Sequence, residues 1–183
     1  MASELHVDAI KHSGGTSALT INSSGNVNIP GSIIQVVQNV KGDDCSFEST
    51  SFVDLPSVNV TITPKFSTSK IMIYVTLTGE LADNDWAAHF RLMRGSTAIG
   101  IGDAAGSRTR GSFSIDSYGA GSLSIITASF HYLDSPSTTS ATTYKIQGLA
   151  GDGIFYAGRN QGDSNGFENV RTPTIMTAME VAV

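Results

Sequence analysis

The chain has 183 residues, only 15% of them charged, a formal net charge of −5 and a single cysteine. The acidic balance gives no basic field for a phosphate backbone, so nucleic acid is excluded as a ready partner, and Cys45 alone can close no internal disulfide and build no multi-thiolate metal site. No stretch approaches the roughly 20 apolar residues of a membrane-spanning helix, and no basic start leads into an apolar segment, so neither membrane insertion nor a secretion signal is expected. Gly, Ser, Thr and Asn fill the polar positions, a usage that suits exposed β surface and tight turns.

Residues 1–31 scatter Leu5, Val7, Leu19, Ile21, Val27 and Ile29 among small polar residues, too thinly for a core. From Ala18 to Pro30 the sequence alternates on both sides of Ser23-Ser-Gly25, which predicts a hairpin. A lone hairpin is marginal in water, so this one is expected to pair with another surface. Pro30-Gly31 marks a boundary and divides the chain into an anchor segment, 1–31, and a second unit, 32–183.

Beyond the boundary, strands follow closely. Ser32-Ile-Ile-Gln-Val-Val-Gln-Asn-Val40 is apolar on both phases and reads as covered on both faces. Val58, Val60 and Ile62 alternate, and Ile71, Ile73, Val75 and Leu77 form the clearest inward row, with Met72, Tyr74, Thr76 and Thr78 opposite. Phe90 and Leu92 lead through Arg94-Gly-Ser-Thr97 to Ile99 and Ile101, a hairpin signal. Ile126, Ala128, Phe130 and Tyr132 share one phase while Leu123 and Ile125 lie on the other, which predicts a β-bulge near Ile125. Tyr144 with Ile146, then Ile154 to Tyr156, then the terminal strand complete roughly nine or ten short strands.

That terminal strand, Thr174 to Val183, is the most telling. Its odd positions are Ile175, Thr177, Met179, Val181 and Val183, expected to pack against the core or a subunit interface and to tie the end of the chain into a sheet. Glu180 falls on the other, more polar phase, where replacement is expected to be nearly silent. No window has a 3.6-residue apolar period, so the fold class is all-β, an antiparallel sandwich or barrel.

No motif for catalysis emerges. Gly100-Ile-Gly-Asp-Ala-Ala-Gly106 has the wrong glycine spacing for a dinucleotide fingerprint and lacks the Lys-Ser/Thr pair of a phosphate loop. Gly119-Ala-Gly-Ser-Leu-Ser124 is no nucleophile elbow. His6, His12, His89 and His131 form no ligand pair by spacing, although a trimer could gather three copies of one of them on its axis. Asp43-Asp44 and Asp83-Asn-Asp85 do not continue into a calcium loop. No catalytic residue, cofactor or metal is therefore expected. Arg91, Arg94, Arg108 and Arg110 gather around the hairpin and the glycine loop, either as a solvated rim or as partners for a neighbouring subunit's Asp103 or Asp116. Trp86 reads as strand packing or, if exposed beside Tyr118, as a sugar platform.

Ser3-Glu-Leu-His-Val-Asp-Ala-Ile10, Leu19-Thr-Ile21 and Val27-Asn-Ile-Pro-Gly31 resemble the opening of surface proteins of tailed phages, especially marine and cyanophage ones. Ser32-Ile-Ile-Gln-Val-Val37, Ser67-Thr-Ser-Lys-Ile71, Arg94 to Gly100, Leu133-Asp-Ser-Pro136, Ala141-Thr-Thr-Tyr-Lys145 and Thr177-Ala-Met-Glu-Val181 look like the knob of the same fiber or decoration group. That knob is similar to the trimeric jelly roll of the C1q and tumour-necrosis-factor class. The resemblance implies a non-enzymatic structural protein of the virion surface, docked to capsid or tail proteins through residues 1–31 and displaying a homotrimeric jelly-roll-like sandwich with its terminal strand near the threefold axis. Ile33, Val37, Ile175, Met179 and Val181 are the expected subunit contacts. A rival expectation is a host-attachment module binding a surface glycan through the loops Ala82–Trp86, Gly102–Gly111 and Gly158–Gly166, with Asp85, Trp86, Arg108, Arg110, Arg159 and Asn160 as contacts.

Overall fold

A computed structural model describes residues 5–82, 87–116 and 124–183. Among these residues every regular element is a strand. The first three, β1 (Ala9–Lys11), β2 (Ser17–Ile21) and β3 (Val27–Asn28), form a small antiparallel sheet in the order β1-β2-β3. The hairpin read from the sequence is its second half, with Ile21 opposite Val27 around a turn that the Asn22 side chain closes by accepting the Ser24 and Asn26 amides. Leu5, Ile10, Val27 and Ile29 remain exposed on this segment.

Two larger sheets pack face to face. In one, β4 (Ile33–Lys41), β14 (Thr174–Val181), β7 (Lys70–Leu81) and β11 (Ile126–Asp134) lie side by side, extended at one end of β7 by β13 (Phe155–Ala157) and β5 (Cys45–Phe47). In the other the order is β10 (Phe113–Asp116), β8 (Ala87–Arg94), β12 (Thr142–Leu149), β6 (Val53–Ile62), with β9 (Thr97–Ile99) also on β8. The chain crosses between sheets at β5 to β6, β6 to β7, β7 to β8, β10 to β11, β11 to β12 and β12 to β13. The last strand lies beside the first strand of the sandwich, the antiparallel crossover pattern of a jelly-roll-like fold.

Alternation explains the packing. Ile71, Ile73, Val75 and Leu77 are almost wholly buried and join Val58, Val60, Ile62, Phe90, Leu92, Tyr144 and Ile146 in one core. Phe90 is its aromatic hub: it meets Phe155 edge-on with ring centroids 5.0 Å apart and stacks on Phe113 at 5.1 Å, geometries that the ring quadrupole favours. The β8–β9 hairpin forms as its sequence predicts, turning at Gly95 with Arg94 opposite Thr97. The β11–β7 ladder runs unbroken from Ile126 to Asp134; Ile125, where a bulge is expected, precedes it, and Leu123 lies outside the described residues. The register instead slips in β6 around Pro56 and Ser57, between the pairs Lys145–Asn59 and Gln147–Asp54. A proline that cannot donate to the ladder fits there.

The terminal strand is tied into the sheet between β4 and β7, as expected, but its phase is the reverse of the sequence reading. Met176, Ala178, Glu180 and Ala182 face the core, whereas Ile175, Met179 and Val181 look outward and Val183 is 56% exposed. Glu180 therefore has no exposure at all. Its carboxylate accepts from Gln35 Nε2 at 2.5 Å and from the backbone amides of Lys65 at 2.8 Å and Phe66 at 3.2 Å. These bonds offset the cost of burying a polar group, and they pin the loop before β7. A second buried polar cluster joins Asp134 to Arg94 at 2.9 Å and to the Tyr144 hydroxyl at 2.7 Å. Burial first, and the Asp134 carboxylate second, push the Tyr144 hydroxyl far above its ordinary pKa.

Candidate functional site

The outward face of the β4-β14-β7-β11 sheet is an unusual surface of the sandwich. Cross-strand partners share a face, so the pairing defines rows across the four strands: Val40, Ile175, Thr76, Ser129; Gln38, Thr177, Tyr74, His131; Val36, Met179, Met72, Leu133. Ile33 and Val181 pair below them beside Lys70. Ile33, Val36 and Val40 are each more than half exposed, and Tyr74 and Leu133 more than two fifths. No carboxylate stands on these rows, and His131 packs its ring against Tyr74 with centroids 5.9 Å apart.

Four of the five residues expected at a subunit contact, Ile33, Ile175, Met179 and Val181, lie on this face. Val37 does not: it points inward and packs against the core. The cause is a register slip between Glu180 and Val181, where Glu180 pairs with Gln35 but Val181 with Ile33, leaving Ile34 as an extra residue. The slip moves Val36 and Val40 to the outward face and Val37 to the inner one, which strict alternation from Ile33 could not anticipate. On the inner face Asn39 Nδ2 bonds the carbonyls of Ser57 and Asn59, and Gln35 Nε2 that of Thr63, closing this side of the sandwich onto β6.

A second surface lies on the other sheet. Arg91 of β8 and Arg108 and Arg110 of the loop before β10 line a shallow groove of about 660 Å³ together with Thr50, Ser51, Phe52, Ile101, Thr109 and Leu149. Arg91 Cζ lies 4.2 Å from the centre of the Phe52 ring, and its Nε donates to Gln147 at 2.8 Å. Arg108 and Arg110 donate to the carbonyls of Ala105 and Gly102. The glycine-rich stretch 100–106 is indeed loop, entered through Gly100 at φ +58, where an added Cβ would meet the Tyr132 ring at 2.9 Å. The outward phase of Arg91, between inward Phe90 and Leu92, was legible in the sequence. Phe52, in an irregular stretch, carried no signal.

The remaining expected contacts behave differently. Asp85 and Trp86 lie outside the described residues, as does Tyr118. Asn160 is 1% exposed and spends its side chain inside its own loop, donating to Glu168 O and Asn169 Oδ1 and accepting from the Val170 amide. Arg159 is also engaged: it covers the Tyr156 ring and donates to Asp44 at 2.7 Å, with Arg171 on the same carboxylate. Burial alone would raise the Asp44 pKa, but the bonds from Arg159 and Arg171 outweigh it and hold the carboxyl below its usual value. The buried Asn160 and the paired Arg159 thus brace the loop. Arg94 finds a carboxylate within the chain, at Asp134.

Cys45 sits in the β5–β13 ladder opposite Ala157, and burial raises its thiol above the ordinary pKa, away from the reactive thiolate. Among the described residues no three His, Cys, Asp or Glu side chains gather where a metal could bind. Among the described residues no helix is long and apolar enough to cross a membrane. No protein-family model matches the chain, and no curated protein matches it.

Proposed function

We propose that the chain is a structural protein of a tailed-phage virion surface, in which residues 32–183 form a homotrimeric knob and residues 1–31 dock to another virion protein. The observation that carries the subunit half of this reading is the apolar outward face of the β4-β14-β7-β11 sheet, with the terminal strand near its middle. A face without carboxylates, bearing Val36, Val40, Met72, Met179 and Leu133 in adjoining rows, is the kind of surface that association covers. A closed symmetric assembly covers it completely and leaves the opposite sheet free for display. The phage half rests on the motifs of the N-terminal segment and knob quoted above.

The small β1-β2-β3 sheet supports a docking role in the same terms. Its strands pair only with one another among the described residues, and Leu5, Ile10, Val27 and Ile29 stay exposed. Three such segments on one trimer bind cooperatively, because after the first docks the others act at a high effective concentration. Gold-labelled antibody against the knob, applied to particles of the phage encoding the chain, tests the location. Labelling at capsid or tail is expected, and particles that carry none of the protein would remove the virion assignment.

A further inference from the structure

We propose that the groove of Arg91, Arg108, Arg110 and Phe52 binds the carboxylate or sulfate groups of an acidic polysaccharide. In a chain of net charge −5, three guanidiniums line one groove, and among the described residues no carboxylate lines it with them. Their hydrogen bonds go to a side-chain amide and to two backbone carbonyls, which orient the heads without neutralising them. Asp54, whose carboxylate feels the Arg91 charge, is itself held by Lys145 at 2.6 Å and Gln147 at 2.7 Å. A guanidinium has five donors, so each arginine keeps unused ones for a planar oxyanion, the geometry arginine matches best.

The rest of the lining selects the class of anion. Phe52, Ile101 and Leu149 provide an apolar floor for the C–H face of a sugar ring, and Thr50, Ser51 and Thr109 provide hydroxyls for its polar rim. An acidic peptide docks either on an arginine cluster or by extending an open strand edge, and a poly-glutamate peptide tests the first mode. Here the strand residues of the groove, Arg91 and Leu149, belong to β8 and β12, which pair with each other through this region, so side chains and not a strand edge are on offer. Duplex nucleic acid is disfavoured by the overall negative charge.

The inference deepens the display reading but does not depend on it, since one protomer holds the whole groove. On the full-length chain, biolayer interferometry with polygalacturonate, dextran sulfate, neutral dextran and a poly-glutamate peptide tests it, with the oligomeric state measured on the same sample. Binding of either acidic polysaccharide, weakening with added salt, is expected, with none to neutral dextran. The double variant R108Q/R110Q should lose about tenfold or more in affinity at an unchanged melting temperature. Thr109→Trp, which fills the groove and keeps its charges, should weaken binding as well and guards against a folding defect in the double variant. Failure of both acidic polysaccharides to bind, undiminished binding by both variants, or poly-glutamate binding as tightly as the polysaccharides would each overturn the proposal.

Discussion

Replacing Glu180 by alanine tests the packing of the terminal strand where sequence and structure part most sharply. The substitution removes the acceptor for Gln35 Nε2 and for the amides of Lys65 and Phe66, at a residue with no solvent exposure. A buried donor left without a partner costs about 1–3 kcal/mol. The Lys65–Phe66 loop can recover part of this from water, so a net loss of about 3 kcal/mol is reasonable. In a chain of this size each kcal/mol moves the melting temperature by about 2–4 °C, so Glu180→Ala should melt about 6–12 °C below the parent. Glu180→Gln keeps an acceptor and loses only the charge assistance, so its cost should be about 1–2 kcal/mol. Scanning calorimetry at matched protein concentration measures both, the match being needed because association itself raises the melting temperature. If Glu180→Ala melts within about 2 °C of the parent, the strand phase described above is wrong and the outward reading of Glu180 is restored.

Val181→Asp should leave the protomer folded, since the side chain faces outward, yet block assembly because the interface would desolvate a carboxylate at a cost that pairing with the neighbouring Lys70 does not repay; circular dichroism and light scattering separate the two effects. Asn160→Ala should lower stability by about 1–3 kcal/mol and leave polysaccharide binding unchanged, as calorimetry and interferometry can show. Asp44 and Asp54 both titrate below their usual value, Asp44 through Arg159 and Arg171 against the effect of burial, Asp54 through Lys145 and Gln147. Their stabilisation is fully present above the unfolded carboxylate pKa and lost as pH falls through the folded values, so the melting temperature should hold from neutral pH to pH of about 5 and drop below about 4. Asp44→Asn should flatten part of that drop. A chain starting at Gly31, whose amide bonds Ala182 O, should melt like the parent and fail to sediment with virus particles.

The strands were legible where one periodicity governed them. Ile71 to Leu77 alternate without interruption, and the whole inward row could be read from residue spacing alone. β4 and β14 were harder because both phases carry apolar residues, and hydrophobicity by itself assigns no face. In β4 the extra residue Ile34 then exchanged the roles of Val36 and Val37. In β14 and just beyond it the small residues Ala178 and Ala182 are the inward ones, and a glutamate sits among them because partners distant in sequence supply its hydrogen bonds. Burial of a polar residue depends on such partners, which residue type does not reveal. For the same reason Asn160 read as a recognition residue while its neighbours in space make it a brace, and the groove floor at Phe52 went unnoticed.

The central claim is that the outward face of the β4-β14-β7-β11 sheet is covered by copies of the chain, and light scattering after size exclusion of the full-length protein tests it most directly. The expected result is one species at three times the 19.2 kDa chain mass, reduced to one chain mass by Val181→Asp. A parent protein that runs as a stable 19.2 kDa monomer, or a trimer untouched by that substitution, would contradict it.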